Sequence, residues 1–106
     1  MKSTIGISLR PEYAQSWQYL FVARGDGPWQ VADDVKVASK RKPMSASLVL
    51  GDGETAQFAV YNGEAPLGDV HTVRMERGKV FVDNKRLRIF PLRTTDERLR
   101  VVRQWI

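Results

Sequence analysis

The chain has 106 residues, of which 42% are hydrophobic and 27% are charged, and this size and composition predict one folded domain spanning residues 1–106 rather than a disordered segment. It contains no cysteine, which excludes disulfide bonds, thiolate catalysis and cysteine-ligated metal centres. The formal charge of +5 is concentrated in residues 72–106, where ten Lys/Arg face four Asp/Glu and leave a net +6.

The sequence carries neither a signal-peptide pattern nor a stretch that would span a bilayer. Residues 1–10 alternate polar and apolar side chains instead of forming a continuous apolar core. The longest apolar run in the first part of the chain, 19–23, is far shorter than a membrane span. We therefore expect a cytoplasmic protein that does not associate with membranes.

The N-terminal part of the chain predicts strands. Ile5, Ile7 and Leu9 recur with a period of two, which indicates a first strand. Residues 11–24 allow two interpretations, because a proline and a glutamate at their start suit the first turn of a helix. The aromatic and β-branched run 17–22 favours a strand, and we expect a short turn followed by that strand.

The segment from Trp29 to Ala38 predicts an irregular or interrupted strand. Its valines are separated by the pair Asp33-Asp34. This pattern fits either two short strands around a turn or one edge strand with a bulge. The basic residues of 39–43 then indicate an exposed loop.

Turn residues between apolar runs predict a series of hairpins. Gly51-Asp52-Gly53 separates 47–50 from 55–61, and Asp-Gly between such runs is a strong hairpin signal because both residues tolerate positive φ. Arg77-Gly78 and Asp83-Asn84 predict two further turns. We expect these to divide residues 70–90 into a three-stranded meander.

The last residues predict a helix. Thr94 and Glu97 fit a capping box, and the apolar residues of 96–106 gather on an arc of about 160° at helical spacing. The fold class expected is therefore mainly β (α+β). It consists of a small antiparallel β-barrel, or a strongly bent sheet of five to seven strands, with a C-terminal α-helix packed on it.

Titratable residues that would support catalysis are few. The one histidine, His71, is close in sequence to Asp69 and has Asp52 as a further candidate partner, but no serine lies in a recognisable nucleophile turn. The acidic residues match no metal-binding motif, and the glycine-rich turns lack the lysine and helix of a phosphate loop. We assign no catalytic or metal-binding residue and no cofactor, and whether the chain is an enzyme stays open, with a non-catalytic role favoured.

The basic third of the chain predicts a nucleic-acid interface. Arg86 and Arg88 share one strand face with Phe90, and arginines beside an aromatic ring suit single-strand binding, in which charge follows phosphates and rings stack on bases. The alternative is that Phe81 and Phe90 lie beneath the helix. The candidate nucleic-acid-binding residues are Arg74, Arg77, Phe81, Arg86, Arg88 and Phe90.

The predicted helix offers a second surface, one for a protein partner. Trp105-Ile106 would anchor a partner if exposed, or would pin the helix to the core if buried. The candidate protein-binding residues are Arg98, Arg100, Arg103, Trp105 and Ile106.

A partial resemblance supports this second surface. Together with the run 16–22, the ending Trp105-Ile106 resembles gyrase-poisoning toxins of plasmid addiction modules, whose terminal helix contacts gyrase. In that family the terminal helix ends in tryptophan, glycine and isoleucine. This chain lacks the glycine, and its middle part departs from the family's pattern.

The leading hypothesis, based on the basic last third, is a small non-catalytic module that contacts nucleic acid. The alternative is a protein-interaction factor, such as a phage- or plasmid-type inhibitor or toxin, that acts through its C-terminal helix.

Overall fold

The computed structural model describes residues 2–10, 17–36, 43–61, 69–87 and 99–104. Within these ranges the chain forms nine strands and no helix, so the prediction of a mainly β protein is confirmed and that of five to seven strands was too low. The strands are β1 (Lys2–Leu9), β2 (Trp17–Arg24), β3 (Gln30–Lys36), β4 (Met44–Gly51), β5 (Thr55–Tyr61), β6 (His71–Glu76), β7 (Lys79–Val82), β8 (Lys85–Arg86) and β9 (Leu99–Gln104).

The strands form two antiparallel sheets. The three-stranded sheet has the order β4-β1-β9, and the six-stranded sheet has the order β3-β2-β5-β6-β7-β8. Apolar side chains of both sheets join in one buried cluster. Ile5 and Ile7 supply it from the smaller sheet, and Phe58 and Met75 supply it from the larger. The core therefore lies between two sheets, rather than inside one continuous bent sheet.

The predicted C-terminal helix is wrong. Residues 99–104 form β9, which pairs antiparallel with β1 from Leu9↔Leu99 to Thr4↔Gln104. Leu99, Val101 and Arg103 are buried while Arg100 is exposed, which is the period of a strand and not of a helix. Two adjacent β-branched valines favour a strand, and pairing with β1 outweighs the broad helical arc of the sequence.

The edge strand β3 carries the bulge that was one of its two predicted forms. Leu20 of β2 pairs with Asp33, but the next residue, Phe21, pairs with Val31. Ala32 is therefore the extra residue on β3, and the strand stays continuous through Asp33. A bulge on an edge strand bends the edge and discourages pairing with other chains.

The hairpin predicted around Asp52 is also wrong. The turn forms, with Gly53 at φ 83° and Glu54 N donating to Gly51 O at 3.1 Å. However, β4 before it belongs to the smaller sheet, and β5 after it belongs to the larger sheet. The Asp-Gly turn therefore carries the chain from one sheet to the other and joins no paired strands.

The two later turns form as predicted. Arg77-Gly78 connects β6 to β7, and Asp83-Asn84 connects β7 to β8. All four residues have positive φ, between 51° and 74°, as expected for two-residue hairpin loops that match the strand twist. The described part of the predicted meander is thus confirmed up to Arg86, and residues 88–90 lie outside the described residues.

Candidate nucleic-acid interface

Three of the predicted nucleic-acid-binding residues lie side by side. Arg74 pairs with Phe81 across β6 and β7, and Phe81 pairs with Arg86 across β7 and β8. Directly paired residues share a face, and neighbouring strands are about 4.8 Å apart. The residues that alternate with them, such as Val73 and Val80, are buried in the core. Arg74, Phe81 and Arg86 therefore form a row on the outer face of the six-stranded sheet, which we call the basic row.

Within the basic row, Arg74 stacks on the aromatic ring. Its Cζ lies 4.7 Å from the centroid of the Phe81 ring, which is a cation–π contact. Its Nε is buried without a hydrogen bond, and Glu76 Oε2 lies 3.7 Å away. The Arg74 guanidinium is thus oriented by a ring and a nearby carboxylate, whereas Arg86 is exposed.

Further cations lie on the same strands and turn: Lys79, which pairs with Glu76, shares the face of the basic row, whereas Lys85 pairs with the buried Val82. Arg77, Lys79 and Lys85 are all exposed on the β6–β8 ribbon. Residues 72–87 carry five Lys/Arg against two Asp/Glu, a net +3. Half of the +6 of residues 72–106 is therefore placed on one small ribbon, where charges raise the local concentration of anions.

The same outer face carries an aromatic cluster that sequence reasoning did not assign. Thr55 of β5 pairs with Arg74, and alternation from Thr55 puts Tyr61 on the same face. Phe21 stacks on Tyr61 with 4.7 Å between ring centroids, and Tyr19 meets Phe21 edge to face. Trp29 lies 5.9 Å from the Tyr61 ring, and all four rings are half-buried. We call these four residues the aromatic cluster.

The aromatic cluster is separated from the basic row along β5. Tyr61 lies six positions after Thr55 on this strand, which corresponds to about 20 Å. Period-two spacing of Tyr19 and Phe21 was the available signal for this surface. Only the pairing of β2 with β5 shows that both residues share the face of Tyr61 and Arg74.

The predicted protein-binding residues do not come together within the described chain. Arg100 is exposed on β9 in the smaller sheet, whereas the basic row lies on the larger sheet. Arg103 is only 3% exposed and is an interior group. The remaining candidates of both sets lie outside the described residues, namely Arg88, Phe90, Arg98, Trp105 and Ile106.

Arg103 connects the two sheets. Its Nε donates to Ser3 Oγ at 2.9 Å, and its Nη1 donates to the carbonyl oxygen of Gly78 in the β6–β7 turn. Burial lowers the pKa of Arg103, while the negative charge of Asp52 acts in the opposite direction and raises it. Asp52 Oδ1 also accepts the Gly78 N–H at 2.9 Å, so both charged residues converge on one turn.

His71 has a different carboxylate partner from those considered in the sequence. Its Nδ1 lies 2.7 Å from Asp83 Oδ2, which is the distance of a hydrogen bond between the ring and the carboxyl group. Asp83 Oδ1 accepts the Thr72 N–H at 2.9 Å, and the His71 ring stacks on Phe58. These contacts fasten the Asp83-Asn84 turn to β6, which is a structural role.

This role predicts a stability loss on replacing Asp83 with alanine. We expect Asp83→Ala to lower the free energy of unfolding by about 2 kcal/mol, because two hydrogen bonds are lost and alanine is strained at positive φ. Asp83→Gly removes the same bonds without the strain and is expected to lose about half as much. Urea unfolding of both variants measures the difference, and an Asp83→Ala variant as stable as the wild type would contradict the role.

The described residues contain no helix of the length and apolar character required to cross a membrane. Among them, no group of three or more His, Asp and Glu side chains is arranged to hold a metal ion.

Comparisons with protein-family models, with curated proteins and with solved structures yield no match to this chain.

Proposed function

We propose that this chain is a non-catalytic module that binds single-stranded nucleic acid on the outer face of its six-stranded sheet. The observation that carries the proposal is the basic row, in which an aromatic ring lies between two arginines on three neighbouring strands. Exposed cations around the row supply charge for phosphates. This pairing of rings with charge is what sequence-tolerant single-strand binding requires.

The geometry favours unpaired bases as the ligand. One face of the Phe81 ring is covered by the Arg74 guanidinium, so a base stacks on the guanidinium plane or on the remaining ring surface. Such stacking requires a base whose face is free, which a duplex does not offer. Arg86 and the exposed Lys79 are then left to contact phosphates on either side of the stacked base.

The aromatic cluster extends this face toward β2. A bound nucleic-acid strand that passes from the basic row to β5 and then follows β5 reaches the half-buried rings of Tyr61 and Phe21 after about 20 Å, a distance covered by several nucleotides.

The second candidate function, partner capture by a C-terminal helix, loses its structural basis because residues 99–104 form a β-strand.

The proposal predicts that charge on the basic row matters more than equal charge elsewhere. We expect Arg86→Ala to weaken binding of a labelled oligothymidylate about three- to tenfold and to reduce the salt slope by about 0.7, because one phosphate contact is lost. Arg100→Ala is the matched control, since it removes the same charge from an exposed position on the smaller sheet. Fluorescence anisotropy at several salt concentrations between about 50 and 200 mM measures both quantities.

Stacking is tested separately from charge. Phe81→Leu keeps an apolar side chain and is expected to weaken binding while leaving the salt slope unchanged, because a lost stack costs affinity without the loss of a phosphate contact.

If Arg86→Ala and Arg100→Ala weakened binding equally, the charge of the basic row would act only as a nonspecific attraction. The absence of binding at the lowest salt concentration would refute the proposal.

A further inference from the structure

The edges of the two sheets meet along a seam. β3 is an edge strand of the larger sheet and β4 is an edge strand of the smaller one. Between them lies an open cavity of about 700 Å³, lined in its interior by Val22, Ala46 and Leu48. Val31 and Val49 form its rim and are 57% and 40% exposed. We call this region the seam cavity.

The main chain of β4 presents hydrogen-bonding groups to the seam cavity. Ser45 N donates to Asp33 Oδ2 at 2.8 Å, and Val49 O accepts from Arg24 Nη2 at 2.7 Å, so the main-chain groups of both residues point away from β1. In an antiparallel strand this direction alternates from one residue to the next. Ser47 lies two residues from each of them, so its N–H and C=O point the same way, toward the seam. Within the described part of the chain, β4 pairs with β1 alone.

We propose that the seam cavity binds a short extended peptide of a partner protein, which adds as a strand to the β4 edge at Ser47. The N–H and C=O of Ser47 would exchange two hydrogen bonds with one peptide residue, as in a hydrogen-bonded antiparallel pair. An apolar small molecule would leave these main-chain groups without partners. The cavity and the strand edge together therefore identify polypeptide as the ligand.

The lining of the cavity defines the peptide sequence. Side chains alternate along a strand, so the two neighbours of the residue opposite Ser47 would point toward Val22 and Leu48. These two positions require small branched apolar residues, and the central position faces solvent like Ser47 itself. The preferred peptide thus alternates apolar, polar and apolar side chains.

The two side chains that hold the ends of the edge limit its length. Asp33 accepts the Ser45 N–H and Arg24 donates to the Val49 carbonyl oxygen, and between these two contacts β4 has no strand partner on this side among the described residues. A second copy of β4 would have to displace both side chains in order to pair along its full length. Charged residues at a sheet edge discourage such pairing. A peptide of about five residues that is centred on Ser47 avoids this conflict.

The test uses a fluorescein-labelled peptide of sequence Thr-Val-Ser-Val-Thr and two variants of it. We expect the parent peptide to bind in an anisotropy titration. Methylation of its central main-chain nitrogen should weaken binding about tenfold through loss of a hydrogen bond. Replacing both of its valines with aspartate should abolish binding. On the protein, Ser47→Pro removes the N–H that faces the seam, and proline is tolerated there because this N–H does not bond to β1.

A second protein variant keeps the test independent of folding at Ser47. Val31→Asp places a charge on the exposed rim and is expected to weaken binding at least tenfold, whereas Val70→Asp, at a valine that is also exposed but does not line the cavity, should have no effect. Binding that tolerates N-methylation would assign the cavity to an apolar group and overturn strand addition. A dimer in sedimentation equilibrium that Ser47→Pro dissociates would identify a second copy as the occupant and overturn the proposal, as would no binding at millimolar peptide.

Discussion

Replacing Phe58 with alanine is expected to lower the free energy of unfolding by about 3–5 kcal/mol, the usual loss for a large aromatic side chain in a packed core. Phe58 is 0% exposed and belongs to the central cluster of the protein. It lies on β5, in the interior of the six-stranded sheet, and its ring stacks on His71 with 5.4 Å between centroids. Its removal leaves a cavity that the two flanking strands are too well paired to fill.

The loss is a large part of the stability of a domain of this size, which is about 5–15 kcal/mol. Urea unfolding followed by tryptophan fluorescence measures it, and Phe58→Leu, which keeps most of the volume, should lose only about 1–1.5 kcal/mol and remain measurable if the alanine variant unfolds. Val31→Ala is the control, because this exposed side chain should change stability by less than about 0.5 kcal/mol. A Phe58→Ala variant that loses under about 1 kcal/mol would mean that the ring is not in the core.

Replacing Arg103 with methionine is expected to lower the free energy of unfolding by about 2–4 kcal/mol. Methionine fills much of the space but leaves the buried Ser3 hydroxyl and the part-buried Gly78 carbonyl oxygen without the donors that they now have. The bonds of Arg103 run from the smaller sheet to the β6–β7 turn of the larger one, so their loss also loosens the connection between the sheets. Arg103→Lys keeps the charge, but one ammonium does not reproduce the planar donor set, and an intermediate loss follows.

Two comparisons separate this effect from an unspecific loss of charge. Arg100→Ala removes an arginine from the exposed side of the same strand and should change stability by less than about 0.5 kcal/mol. In a double-mutant cycle, Ser3→Ala should cost less in the Arg103→Met background than in the wild type, because the bond between them is already absent. Additive effects in that cycle would argue against the Arg103–Ser3 hydrogen bond.

The burial of Arg103 also bears on function. An arginine at the end of a basic sequence looks like a ligand-binding residue, yet here its charge is used inside the protein. The basic surface is thereby confined, within the described chain, to the β6–β8 ribbon and to single cations elsewhere such as Arg100. This is why the proposed nucleic-acid interface rests on Arg74, Phe81 and Arg86 and not on the C-terminal strand.

Local chemistry in the sequence determined several strands and turns of this protein. Alternation at Ile5, Ile7 and Leu9 was sufficient for β1, because a half-buried strand must alternate. Arg77-Gly78 and Asp83-Asn84 were sufficient for the β6–β8 ribbon, since a two-residue hairpin aligns its own strands and so sets which residues are paired. The partnership of Arg74, Phe81 and Arg86 followed from that local register.

Tertiary structure decided what local pattern leaves open, namely which strands become neighbours. The turn at Asp52 formed, but whether β4 and β5 pair depends on β1 and β2, which take those strands into different sheets. Residues 99–104 carry an apolar pattern compatible with helix or strand. The edge of β1, which lies 90 to 100 residues earlier in the chain, selects the strand by offering main-chain partners. The placement of Tyr19 and Tyr61 on one face has the same origin. Hydrogen bonds between distant strands form only in the folded chain, and no window of sequence contains both partners.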